Sequence, residues 1–260
     1  MFREAQEVSF QSALGVGEAS SIESGGSVAK KTAALPSNML ILIGTVHGDP
    51  RGYDRALKVL QHFRPEVVTV EISWFSWRYR LRHGPRWQRL LAQALEGLPP
   101  GAAQHLAIRR LAAQVSLPFE VRAVRDYCRE YGVPWQPLDL GGPSRRHLPR
   151  YARELLSAEN LRALLDTADE PLEDYVSREY QRARLACRRL RWRPLGASAE
   201  TRRRERLWAR RLRQCLASYD RVAHLGGWEH LAPWRDEIGL WQELADLKPL
   251  RLFLDEAEEK

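Results

Sequence analysis

Apolar residues first form an unbroken run at Met39-Leu40-Ile41-Leu42-Ile43, and then recur at helical spacing at Tyr53, Ala56, Leu57, Leu60 and Phe63. A short continuous run followed by three- and four-residue spacing reads as a strand and then a helix. Pro65 ends the helix, and Val67-Val68-Thr69-Val70-Glu71-Ile72 reads as a second strand. The unit predicts a parallel strand pair joined by a right-handed crossover. His47 and Glu71 then follow the carboxyl ends of neighbouring strands.

Residues 73–117 are rich in Trp, Arg, Leu and Ala, with breaks at Gly84-Pro85 and at 97–101; they read as two or three helices. Residues 119–131 predict another helix, stopped by Gly132 with Pro134 beyond it. Trp135-Gln136-Pro137-Leu138-Asp139 reads as a short strand, although proline weakens a ladder. Residues 145–215 read as mostly helical, interrupted near Pro171 and at 194–198. Residues 219–225 form a core strand and 250–254 a last one. The expected class is α/β, with a mostly parallel central sheet, flanking helices and helical insertions. Residues 1–37, rich in Gly, Ser and Ala and lacking the apolar core of a secretory leader, are expected to be a disordered tail ahead of one domain over 38–260.

Two Gly-x-x-His tetrapeptides stand out against this background. They are Gly44-Thr45-Val46-His47 and Gly227-Trp228-Glu229-His230, each at the end of an expected strand. Gly44 and Gly227 are expected where the chain turns tightly. Ligands of open α/β sheets bind outside the carboxyl ends of the strands, so the two imidazoles are candidates for one site. The bland alternative is a pair of capping histidines at turns.

Two polar residues break helical apolar stripes. Glu120 lies three residues before Ala123 and four before Val124, facing the stripe of Val121, Val124, Tyr127 and Cys128. A carboxylate there must be paired, hydrogen-bonded or metal-bound, unless it sits at the rim. Arg204 lies four residues before Trp208, in line with Leu212, Cys215 and Leu216. Its stem can cover the core while its head reaches water, or it can balance Glu71, Glu120 and Asp139. His224 falls inside a strand and reads as a core histidine.

Composition narrows the classes. The chain has 260 residues, 44% hydrophobic and 28% charged, as ordinary globular proteins do. No apolar run is long enough to span a bilayer. Three cysteines, Cys128, Cys187 and Cys215, without C-x-x-C spacing predict a reducing, cytoplasmic setting. The net charge of +8 is almost all arginine. It predicts no more than weak, salt-sensitive nucleic-acid binding, even where Trp192 and Trp208 accompany the arginines of residues 178–213.

Leu42-Ile43-Gly44-Thr45-Val46-His47, followed by Arg64-Pro65-Glu66-Val67-Val68-Thr69-Val70-Glu71, resembles the opening of the TraB/PrgY family. That family is grouped with the Tiki proteases, GumN, the haem-binding ChaN proteins and the erythromycin esterases. Further likenesses follow in order over residues 38–234. Phe119-Glu120-Val121-Arg122-Ala123 is similar to an E-x-R-A helix start, and Leu138-Asp139 to a strand ending in Asp. Arg204-Glu205 is similar to the R-D of an E-R-D helix, and residues 221–230 to the second G-x-x-H turn. The resemblance implies an erythromycin-esterase/ChaN-like fold and a hydrolase of peptides or esters.

The same resemblance implies a divalent metal such as Mn²⁺, Co²⁺ or Zn²⁺, held by His47, His230 and Asp139. Glu71, Glu120 and Arg204 would carry the chemistry. It departs from the pattern in several places. Ser76 stands where the family has an arginine, with Arg78 or Arg80 as substitutes; Arg203 and Leu140 replace a glutamate and an arginine. These departures keep a second expectation open, a regulatory or ligand-binding protein that takes a peptide or haem without turnover. None of this sets an oligomeric state.

Overall fold

The computed structural model describes residues 38–189, 198–233 and 239–258. The expected tail over 1–37, the break at 194–197 and Trp192 lie outside the described residues.

Five strands form one parallel sheet: β1 (Met39–Thr45), β2 (Val67–Val70), β3 (Trp135–Pro137), β4 (Arg221–Gly227) and β5 (Leu250–Phe253), in the order β3-β2-β4-β1-β5. The α/β class read from the sequence is therefore present. β1 is buried from Leu40 to the end of the strand, and β2 throughout. That is why both read as unbroken apolar runs, since helices cover both faces of a parallel sheet.

Ten α-helices accompany the sheet among the described residues. They are α1 (Gly52–Phe63), α2 (Trp74–Glu96), α3 (Leu106–Val115), α4 (Phe119–Tyr131), α5 (Gly141–His147), α6 (Tyr151–Glu154), α7 (Ala158–Leu165), α8 (Leu172–Arg189), α9 (Ala199–Leu216) and α10 (Leu240–Glu243). α1 packs on α4, α4 on β2, and α9 on β4. Gly132 closes α4 at φ 66, returning its N–H to the Cys128 carbonyl. The helical insertion has its own core of Trp87, Leu91, Ile108, Leu111, Val115, Leu148, Leu156 and Leu161. None of the described helices is long and apolar enough to cross a membrane.

Two expectations need correction. The Gly84-Pro85 break does not occur, and α2 runs through it as one helix. The carbonyl left without its i+4 donor belongs to Leu81, which lies on the exposed side of the helix. The expected tight turns at Gly44 and Gly227 do not occur either: both residues lie within strands, and neither has positive φ. Gly44 is needed because a Cβ would meet the Phe253 ring at 2.8 Å and Leu231 at 3.2 Å. The left-handed turn comes at Gly48, φ 85, one residue after His47.

Candidate active site

The sheet order brings together residues that are far apart in the chain. Asp139 follows β3, Glu71 follows β2, His230 follows β4 and His47 follows β1, all at the carboxyl edge. α4 adds Glu120 at its first turn, and α9 adds Arg204 and Glu205. These groups line one cleft of about 1260 Å³, except Glu205, which is fully buried behind it.

Each histidine is held from behind by a buried carboxylate. His47 Nδ1 lies 2.7 Å from Glu120 Oε1, which also accepts a 2.9 Å hydrogen bond from Thr45 Oγ1. The helix amino terminus favours a negative charge at Glu120. His230 Nδ1 lies 2.5 Å from Glu205 Oε1, whose Oε2 accepts from the Leu240 N–H at 3.1 Å. Trp208 presents its ring edge-on to His230 at 4.7 Å. A carboxylate at Nδ1 fixes the ring and leaves Nε2 to face the cleft.

Both Nε2 edges face the Glu71 region. His230 Nε2 stands 3.3 Å from Glu71 Oε1. A Cβ on Gly227 would lie 3.4 Å from His47 Nε2, 3.5 Å from Glu71 Oε2 and 3.8 Å from the His230 ring. Glycine at 227 therefore leaves room for the three side chains to meet, and its N–H donates to Glu71 Oε2 at 2.8 Å. Gly226 does the same one residue earlier, where a Cβ would come within 3.2 Å of Glu71 Oε2.

Arg204 fastens the other side of Glu71. Its Nη2 donates to Glu71 Oε1 at 2.9 Å, while Nε and Nη2 grip the two Asp139 oxygens at 2.7 and 3.1 Å. The guanidinium lies over the Trp208 ring, 4.9 Å from its centroid. Both Asp139 oxygens are thus taken by an arginine, so Asp139 stands behind Glu71 and apart from the imidazole pair. A cation at Asp139 would have to compete with Arg204. Arg204 likewise spends its observed hydrogen bonds on carboxylates and serves to position Glu71.

The electrostatics follow from these contacts. Desolvation is the largest effect on Glu71 and pushes it up, but His230, His47 and Arg204 together hold it well below the usual carboxylate range. Desolvation lowers both site histidines. Glu120, with Glu71, reverses this at His47 and raises it to about 9; Glu71 with Glu205 raises His230 to about 10. Burial raises Asp139, and the nearby Glu71 charge adds to it, despite the Arg204 clamp. His224, fully buried one layer below, is pushed down to about 4 by burial. Its Nδ1 pairs with Thr69 Oγ1 at 2.9 Å, which makes it the neutral core histidine expected from the sequence.

Arg78 lies outside the site, on the exposed side of α2 over Trp74. Arg80 and the buried Ser76 line the cleft instead, with Arg80 Nε donating to Ser76 Oγ at 3.3 Å. Three residues outside the sequence-predicted set also support the site: Glu205, Thr45 and Asp49. Glu205 holds His230, and Thr45 donates to the Glu120 carboxylate that holds His47. Asp49 secures the turn after His47, accepting from Arg51 N–H, Arg55 and the Tyr180 hydroxyl at 2.9, 2.7 and 3.1 Å.

Two imidazoles backed by carboxylates, beside a third carboxylate, are a donor set suited to a borderline divalent cation. No three His, Cys, Asp or Glu side chains among the described residues are already gathered into a metal-holding group. A cation would compete with Arg204 for Glu71. No protein-family model, curated protein or solved structure matches the chain.

Proposed function

We propose that this chain is a hydrolase of amide or ester bonds in a small peptide or ester, working at the carboxyl edge of the sheet. The observation that carries the reading is the paired arrangement of His47–Glu120 and His230–Glu205, which turns both Nε2 atoms toward Glu71. His47, His230 and Glu71 would hold Mn²⁺, Co²⁺ or Zn²⁺. Such an ion lowers the pKa of bound water and polarises a carbonyl. Glu120 and Glu205 orient the imidazoles, and Arg204 with Asp139 sets the position of Glu71. Thr45, Ser76 and Arg80 offer polar contacts to a substrate in the same cleft.

The test is metal analysis of protein purified without added metal or chelator, followed by cleavage assays on a mixed peptide library and simple esters with each ion. His47→Ala and His230→Ala are each expected to abolish metal retention and turnover. Absence of both metal affinity and turnover in the unaltered protein would remove the hydrolase reading.

A second reading is favoured by the Arg204 clamp, which satisfies Glu71 and Asp139 without any ligand. On that reading the cleft binds a peptide or haem and releases it unchanged. Saturable binding with no product over long incubation distinguishes it.

A further inference from the structure

The arginines of this basic chain fall into two kinds. Those of α8 and the end of α9 are largely paired: Arg178 with Glu170, Arg182 with Glu179, Arg184 with Asp255 and Arg213 with Asp246. Those on the outer side of α2 are not. From Trp74 to Leu95 the helix contains no acidic residue. Arg78, Arg82, Arg86 and Arg89 are exposed, and none has a carboxylate partner among the described residues. At 100° per residue, they fall within an arc of about 140° that begins with Leu81 and Trp74.

Those two residues are 45% and 49% exposed, a rare state for large apolar side chains here. The surface therefore sets an apolar ridge beside a row of uncompensated cations. α9 also exposes Arg203, Arg206 and Arg210, but no large exposed apolar residue accompanies them. Its outer face is ordinary solvated charge.

We propose that the outer face of α2 docks on an anionic phospholipid surface. The arginines supply attraction to the headgroups, and Trp74 and Leu81 enter the interfacial layer. The state of Trp74 favours a bilayer over a nucleic acid. Its ring packs against Trp77 and Trp135, centroids 5.4 and 5.8 Å away, and Arg78 lies over it at 5.9 Å. Stacking on a base needs a free ring face, whereas insertion among headgroups needs only a protruding edge.

The experiment is sedimentation of the full chain with vesicles of phosphatidylcholine alone or mixed with phosphatidylserine, at low and physiological salt. The expected result is binding to the mixed vesicles only, weakening as salt screens the charges. Arg82→Gln/Arg86→Gln/Arg89→Gln should weaken it at least about tenfold. Trp74→Ser/Leu81→Ser should weaken it about threefold and leave less of it at physiological salt. Leu81→Ser alone, which leaves the tryptophan cluster untouched, guards against a folding defect. Equal binding to both vesicle types, no binding at low salt, or full binding by the arginine variant would overturn the proposal. So would a single-stranded oligonucleotide that binds more tightly than the vesicles and displaces them.

Discussion

The two Gly-x-x-His segments share a pattern and end in different surroundings. His47 is 63% exposed to the cleft, while His230 is 11% exposed and lies under Trp208. Each has a buried carboxylate at Nδ1, but Glu120 comes from the first turn of α4 and Glu205 from the fully buried side of α9. The same Gly-x-x-His spacing thus yields one largely buried ring and one exposed ring on the same cleft. The packing element behind each ring, rather than the tetrapeptide, sets the difference.

The largest expected effect tests that contrast directly. Glu205→Ala leaves a buried imidazolium and the Leu240 N–H without their acceptor, and should cost about 3–5 kcal/mol. Glu120→Ala strips an exposed ring of its partner and should cost only about 1–2 kcal/mol. Urea unfolding of both variants measures this, and equal losses would erase the contrast. The next effect belongs to the clamp between the two histidines and β3. Arg204→Met leaves Asp139 without its cation and Glu71 with the histidines alone, and should cost about 2–4 kcal/mol. Adding Asp139→Asn should recover part of that loss. Simple additivity of the two changes would show that the clamp does not act as a unit.

The smallest effect, taken over a single pH unit, is in the pH profile of chelator-treated protein. His47 and His230 have raised folded-state pKa values, so their stabilisation is complete below about 6.5 and fades as pH rises toward 9 and 10. His224 is depressed, so its contribution is present above about 6.5 and is lost as pH falls toward 4. Stability should therefore peak near pH 6.5, with each buried group giving at most about 1.4 kcal/mol per pH unit and the exposed His47 less. His224→Gln should flatten the acid limb and leave the alkaline one. A wild-type melting temperature that climbs steadily to pH 10 would contradict the assignment.

Much of the frame was legible because burial and period coincide. β1, α1 and β2 read correctly from an unbroken run and helical spacing, and Glu120 from a carboxylate aimed at an apolar stripe. Arg204 was found in the same way, but its neighbour Glu205 is the better centre of that face. It lies three residues before Trp208, four before Ala209 and seven before Leu212, and these are the residues buried with it. The charge-balancing role open to Arg204 is met at Glu71 and at Asp139, 65 positions away, whereas the two-point grip on Asp139 depends on how α9 packs and is not readable. Pro85 hid the continuity of α2. Gly44 and Gly227 were assigned to turns because local reasoning cannot see Phe253 or Glu71 approaching across the sheet.

The sheet order carries a cost at synthesis. β1 lies between β4 and β5, with Met39 opposite Arg221, so its neighbours on both sides are made long after it. At about 5–20 residues per second, roughly 10–40 s pass before β4 leaves the ribosome. During that interval Leu40, Ile41, Leu42 and Ile43 have no partner strand, and such non-local pairing is slow even once complete. The strand that delivers His47 is thus the segment a nascent-chain chaperone has most reason to hold.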